Sequence, residues 1–372
     1  MKIETFEMER MQSIWENRVE LNLSESGVAP MSVGDLLESD ELRDRFNRIA
    51  LGYPQTNGTP ELRRAIAGLY SGATEDHVLV TNGTAEANFL AAWTVVEPGD
   101  EVVILQPNYQ QLQGIIRSFG AKVTSVWLRA EDRWRPDLDA LEKAITPATK
   151  MVAVCNPNNP TGGVLTTEEM NRIAAAAKKA DAWLLADEVY RGAELEGNIT
   201  PSFWNQYEKT IVNCGLSKAY GLPGLRIGWM TSTPELIAKA WAYHDYTTIC
   251  PTMTSDFLAQ EALRPERREK ILERTRGILR KHYPVLRDWV AAHAESFTMI
   301  PPTAAAIAML GYRFDIPSRE LADRLREEES LLVVPGAQFG MENYLRIGFG
   351  YDVEALEKGL DRLETFLRRL KK

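Results

Sequence analysis

Short apolar runs rich in β-branched residues recur along the first two thirds of the chain, at residues 78–81, 102–105, 151–155, 183–186, 211–214 and 226–230. Each is near-continuously apolar rather than alternating, the pattern of a strand buried on both faces. Between most of them the apolar positions fall at helical spacing, at residues 61–69, 84–95, 109–119, 136–144 and 167–180. Buried strands alternating with helices predict a largely parallel sheet covered on both sides. From residue 234 to about 292 the pattern is almost wholly helical and reads as a layer linking two domains; its basic stretch, residues 264–280, reads as a solvated helix face. Strand patterns then return at 305–312, 331–335 and 344–349, with helices at 318–327 and 353–370. The first 45 residues do not fit the alternation, and are expected to join the C-terminal part or to lie over the site. The expected fold class is α/β, with a three-layer α/β/α large domain (46–285) on a mostly parallel sheet. A smaller α+β domain is expected from both chain ends, 1–45 and 286–372.

Composition narrows the function classes. The chain has 372 residues, 44% of them hydrophobic, enough for a substantial core. Its net charge of -9 argues against nucleic acid or an anionic membrane as partner. No apolar run approaches the roughly 20 residues that span a bilayer, and the opening MKIETFEMER lacks the basic start and apolar core of a signal peptide. A cytoplasmic location is the expectation. Cys155, Cys214 and Cys250 are too scattered for a disulfide framework or a zinc site, and Cys155 and Cys214 end apolar runs as reduced core thiols would.

Four segments carry chemistry. In Ser217-Lys218-Ala219-Tyr220-Gly221 a lysine follows a buried strand, with Arg226 eight residues later. A desolvated lysine beside a cation loses affinity for its proton and becomes a usable amine nucleophile, although a lone lysine is ordinarily a surface residue. Asn156-Pro157-Asn158-Asn159-Pro160-Thr161-Gly162 forms a rigid corner at the end of a strand, and such sheet edges are where ligands bind in open α/β folds. Asp187, in Asp187-Glu188-Val189-Tyr190, ends an apolar strand. A buried acid there needs a partner, such as a pyridinium N–H, unless it is only a helix cap. Thr81-Asn82-Gly83-Thr84-Ala85 links a strand to a helix whose first N–H groups suit a phosphate, as many capped helix starts also would.

Taken in this order, these segments resemble the class I/II aminotransferases of the fold-type I pyridoxal 5'-phosphate (PLP) enzymes, from about Tyr53 to Gly350. The resemblance implies that Lys218 carries PLP as a Schiff base and moves the substrate Cα proton. It implies that Asp187 pairs with the pyridinium nitrogen, and that Tyr190 and Asn159 bond the ring 3'-oxygen, Asn159 also lying near the substrate carboxylate. Gly83, Thr84 and Arg226 would hold the phosphate, Ala85 and Ser217 would be among the cofactor-binding residues, Tyr109 would stack on the ring, and Arg346 would clamp the α-carboxylate. Tyr53 is similar to the tyrosine that reaches the phosphate of a neighbouring subunit, which implies a homodimer with shared sites. The implied reaction moves an amino group from an L-amino acid to a 2-oxo acid.

There is one departure: the family often has a hydroxyl three positions before the lysine, and this chain has Gly215. The opening stretch, Trp15-Glu16-Asn17 followed by Glu20 to Val28, also resembles a subgroup containing oxygen- and PLP-dependent arginine oxidases and, more distantly, the cyclase that makes capreomycidine. There Glu16 would meet a substrate guanidinium, and the alternative activity is an oxidase or desaturase of a cationic amino acid. The segment around His244 would either line the pocket or pack.

Overall fold

The computed structural model describes residues 2–370. A seven-stranded sheet runs, edge to edge, Val78–Thr81, Gly228–Thr231, Thr210–Gly215, Trp183–Asp187, Thr149–Cys155, Glu101–Gln106 and Lys122–Trp127. Only Gly228–Thr231 runs antiparallel to its neighbours; the other contacts are parallel. The five strands between the edges have almost no exposed residue, because helices cover both faces. This is the α/β sheet that the apolar runs predict.

Local chemistry starts most of the covering helices. Thr59, Thr166, Thr233, Thr252 and Asp137 each sit at an N-cap and accept from the backbone N–H three residues on, and Glu169 completes a capping box with Thr166. Such side chains satisfy donors that a helix start otherwise leaves unpaired.

A second, antiparallel sheet runs Val334–Pro335, Tyr344–Gly348, Ile307–Tyr312 and Phe297–Met299. The N-terminal segment packs onto this C-terminal part: Leu21–Asn22 pairs in parallel with Leu331–Leu332, and Gly348 N–H donates to the Leu23 carbonyl at 2.7 Å. The opening helix, Glu7–Trp15, lies beyond that segment.

Several boundaries depart from expectation. The last strand of the large sheet starts at Gly228 rather than 226, because Arg226 takes a left-handed conformation (φ 51°, ψ 42°). The strand expected from 305 starts at Ile307, after Ala305 at φ 67°. Strand Lys122–Trp127 is absent from the apolar pattern; it is an edge strand with polar, partly exposed residues.

The stretch 264–280 is a solvated face only in part: Arg264, Glu266, Glu269, Lys270, Glu273 and Arg280 are exposed, and some other residues are not. It belongs to the 28-residue helix Pro265–Ala292, and its arginines fasten other parts of the chain. Arg274 donates to the Ala29 carbonyl at 2.8 Å, Arg268 to the Tyr220 hydroxyl at 3.1 Å, and Arg276 to Glu194 at 3.1 Å. Its basic residues thus tie the N-terminal segment and the lysine loop to the long helix.

Candidate active site

The C-terminal ends of the central strands, the N-terminal segment and Arg346 from the second sheet surround a cavity of about 320 Å³. It is lined by Thr84, Ala85, Tyr109, Asn159, Asp187, Tyr190, Ser217, Lys218, Arg226, Arg346 and Glu16. Gly83 lies directly behind Arg226. Tyr53 is apart from this group and 85% exposed. The wall also contains Glu9, Gln12, Glu25, Ser26 and Asn88, which motif reading passes over.

One end of the cavity is an anion cradle. Helix Thr84–Val95 is capped by Gly83 at φ 83°, which has no side chain to cap the first N–H groups. Glycine is favoured there by the positive φ, and a Cβ would also lie 2.3 Å from Arg226 Nη2 and push the guanidinium away from its present position. Arg226 leans over the helix start and donates to the Pro223 carbonyl at 3.0 Å. Glu86, one turn into the helix, reaches back to accept from Asn82 N–H at 2.6 Å and binds His244 at 3.2 Å. Buried His244 therefore packs behind the cradle rather than lining the pocket.

Gly215 is explained by the same corner. A Cβ on it would stand 2.6 Å from Thr84 Oγ1 and 3.0 Å from the Ile227 carbonyl. Thr84 occupies the space that a hydroxyl residue at 215 would need. Its own hydroxyl is buried without a hydrogen-bond partner among the described residues.

At the strand ends, Asp187 accepts from Asn88 Nδ2 at 3.0 Å and from Val189 N–H at 3.1 Å; Asn88 in turn accepts from Asn213 at 2.9 Å. Burial still holds the Asp187 carboxyl above its usual range, since these two donors only partly offset it. A further donor facing this carboxylate would stabilise its charge. The Tyr190 hydroxyl is buried and makes no hydrogen bond of ordinary geometry among the described residues. Burial raises its phenol, while Lys218, Arg346 and a loose contact from Ser26 pull it back.

Arg346 is 1% exposed. Its Nη1 donates to Asn159 Oδ1 at 3.1 Å and its Nη2 to the Ser24 carbonyl at 2.6 Å. No carboxylate of the described residues pairs with it, and burial lowers its proton affinity. A buried guanidinium whose hydrogen bonds go to neutral acceptors suits an anion.

Lys218 departs from the expectation of a lysine that sheds its proton. Its Nζ lies 3.1 Å from Glu25 Oε1, and Glu25 also accepts from the N–H groups of Ser26 and Gly27, each at 2.9 Å. Burial alone would lower the lysine, but Glu25, then Tyr190, outweigh it and the amine is raised. Lys218, against burial, holds Glu25 down at about 2. Tyr109 does not stand free either: its hydroxyl donates to Glu9 at 2.7 Å, and Phe6 packs on its ring edge-on at 5.0 Å.

The family model for aminotransferases of class I and II matches residues 38–363. The chain belongs to that family. This aminotransferase is similar to the aromatic-amino-acid aminotransferase 2 of Thermococcus litoralis, 29% identical over 333 residues and covering 86% of this chain and 85% of that one. It is similar also to the capreomycidine synthase of Streptomyces vinaceus, 28% identical over 342 residues, 91% of this chain and 87% of the relative. A solved PLP-dependent aminotransferase from Streptococcus suis superposes with a TM-score of 0.94 at 33% identity, covering all of both chains. The aminotransferase is thus a PLP-dependent enzyme, and its donor set fits the cofactor. There is an amine nucleophile, a buried acid short of a donor, and a helix start with an arginine and an unpaired Thr84 hydroxyl for a phosphate. Among the described residues no helix is long and apolar enough to cross a membrane.

Proposed function

We propose that this aminotransferase binds PLP on Lys218 and moves the α-amino group of an L-amino acid to a 2-oxo acid. One observation carries the reading: Lys218, Asp187 and Arg346, from three distant parts of the chain, line one 320 Å³ cavity. PLP, when bound, supplies an electron sink for the bond broken at the substrate Cα. Asp187 would hold the proton on the pyridine nitrogen. Tyr190 and Asn159 would donate to the ring 3'-oxygen, and Tyr109 would cover the ring face. Gly83, Thr84, Ala85, Ser217 and Arg226 would hold the phosphate. Arg346, steadied by Asn159, would orient the substrate α-carboxylate, and Lys218 Nζ, released on substrate binding, would carry the Cα proton.

Purified protein is expected to be yellow, and Lys218→Ala to lose the absorption band of the lysine-bound cofactor. A wild type that stays colourless after incubation with PLP overturns the proposal.

A second reading concerns the substrate. Glu9, Glu16 and Glu25 line the same wall of the cavity. Burial first, then Glu25 and Glu9, raise the Glu16 carboxyl against the pull of Lys218, and a cation beside it would offset these effects. A cationic amino acid such as L-arginine fits that wall, with Glu16 as its contact, and for it the alternative outcome is oxidation or desaturation by oxygen. Incubating arginine and neutral amino acids with and without 2-oxo acids separates the two. Turnover that requires an oxo acid supports transfer, and oxygen uptake without one supports the oxidase.

The reading extends to the whole chain. A large domain of residues 46–285 and a small one from 1–45 and 286–372 are supported by the two sheets and by the pairing of Leu21–Asn22 with Leu331–Leu332. The ends of those spans, residues 1, 371 and 372, lie outside the described residues. A homodimer in the cytoplasm is supported by the exposure of Tyr53 and by three free cysteines.

A further inference from the structure

Glu25 is 193 residues from Lys218 in sequence, yet its carboxylate is the group that meets the lysine nitrogen, at 3.1 Å. The carboxylate is not a floppy surface acid. The same oxygen accepts from the consecutive N–H groups of Ser26 and Gly27 at 2.9 Å each, and those residues are fixed in turn. The segment is clamped on both sides, by Gly348 N–H on the Leu23 carbonyl and by Ala29 N–H on the Gly350 carbonyl. Gly27 is closed in as well, since a Cβ there would meet Glu25 Oε1 at 3.3 Å and Lys218 Cδ at 3.7 Å. The acid therefore has little room to rotate away from the lysine.

We propose that Glu25 is a positioning residue for Lys218, a fixed counter-ion that keeps a proton on the lysine nitrogen both as the free amine and when that nitrogen is bound to PLP. This rests on Lys218 being the cofactor lysine. The charged and titratable groups around the nitrogen are few. Glu25 and, further off, Glu16 and Glu9 come from the N-terminal segment, Glu9 being held by the Tyr109 hydroxyl; Tyr190, Asp187 and Cys155 come from the strand ends, Arg226 from the cradle, and Arg346 from the second sheet. Arg346 opposes the proton, and Tyr190 is a neutral phenol near neutral pH, its titration pushed upward by burial. Glu25 is thus the anion within direct contact. A protonated lysine-bound cofactor is the more electrophilic form toward an incoming amine, so the counter-ion sets the pH range over which substrate can displace Lys218.

The experiment is a pH titration of the visible absorption of the PLP-loaded protein, wild type against Glu25→Gln, Glu25→Ala and Glu25→Asp, without substrate. Loss of a contacting opposite charge is expected to lower the pH at which the band of the protonated form disappears by about 1–3 units in Glu25→Gln and Glu25→Ala. Glu25→Asp is expected to restore most of that shift. Uncharged variants that titrate with the wild type overturn the proposal, as does an aspartate variant that falls as far as the glutamine one. Two uncharged variants are used so that a folding failure in one leaves the other decisive. A wild type that takes up no PLP overturns instead the assignment of Lys218, an outcome distinct from either of these.

Discussion

Arg346 illustrates how a single side chain can define what a pocket accepts. Removing a guanidinium from water is costly unless its charge is met, and here its direct partners among the described residues are Asn159, the Ser24 carbonyl and the ring of Phe339 at 5.4 Å, with Glu25 and Glu9 acting on it only from a distance. Its Nε has no hydrogen-bond partner among the described residues. The planar fork suits a carboxylate through two parallel bonds, which a lysine ammonium cannot reproduce. Arg346→Lys is therefore expected to lower kcat/KM by about 10–100-fold, the loss of one charge-assisted hydrogen bond. Most of the effect should fall on KM, with the absorption of the lysine-bound cofactor unchanged. Steady-state kinetics beside a spectrum checks both parts, and a variant that changes the spectrum and leaves KM alone would place Arg346 elsewhere. Charge at this scale was also where sequence reading went astray. Lys218 next to Arg226 reads as an amine that sheds its proton, but the fold brings Glu25 to 3.1 Å and reverses the sign. No local pattern in Leu23-Ser24-Glu25-Ser26-Gly27 announces that contact, because it depends on how the N-terminal segment docks on the second sheet.

At the level of elements, the strand-to-helix corner at Gly83 is the part that constrains its neighbours most tightly. Gly83, Thr84, Gly215, Arg226 and Gly228 share one small volume: a Cβ on Gly228 would lie 2.4 Å from Thr84 N, and one on Gly215 would lie 2.6 Å from Thr84 Oγ1. A hydroxyl side chain at 215 would crowd the present Thr84, whose own hydroxyl, without a partner among the described residues, stands in that space. Gly215→Ser alone is expected to weaken PLP binding and lower the Tm, overpacking of this kind costing about 1–3 kcal/mol. Gly215→Ser with Thr84→Ala should recover the part of both that Thr84 causes, the backbone contact of 3.0 Å with the Ile227 carbonyl remaining. A double-mutant cycle on PLP affinity measures the coupling, and additive losses would mean that the two residues do not compete. Element identity was legible in sequence wherever burial dictated it: the strands buried on both faces read as apolar runs, and the motifs fell at their ends. The strand Lys122–Trp127 escaped because an edge strand need not be apolar, and Arg226 was read into a strand because its left-handed backbone has no sequence signature. The arginines of helix Pro265–Ala292 read as solvent-facing for a related reason, since a charged side chain that fastens a distant carbonyl looks the same in sequence as one in water.

On the scale of the whole molecule, Tyr53 is the predicted site residue that does not join its own pocket. It is 85% exposed, beside Leu51 at 86%, an uncommon state for large apolar side chains placed together. Tyr246, 81% exposed, and Ile249 add to the exposed apolar surface. Both segments are anchored: Thr56 accepts from Trp241 Nε1 at 2.7 Å, and Asn82, next to Gly83, donates to Thr248 at 2.7 Å. An exposed tyrosine on such an anchored loop suits a site on a second copy, reached across a two-fold axis that makes the exchange reciprocal. Two expectations follow from a dimer with shared sites. Tyr53→Ala should weaken PLP binding by about 10-fold or more, the loss of a hydrogen bond to a charged group, while leaving the described contacts within the chain's own cavity intact. Mixing Tyr53→Ala with Lys218→Ala, each impaired alone, should then regain activity after subunit exchange. Half of the dimers are mixed, and one of the two sites in each combines an intact Lys218 with an intact Tyr53, so recovery should approach about a quarter of the wild type. Activity that never exceeds the sum of the two variants, in protein that sediments as a monomer, would confine Tyr53 to its own chain and leave Thr84, Ser217 and Arg226 to hold the phosphate without it.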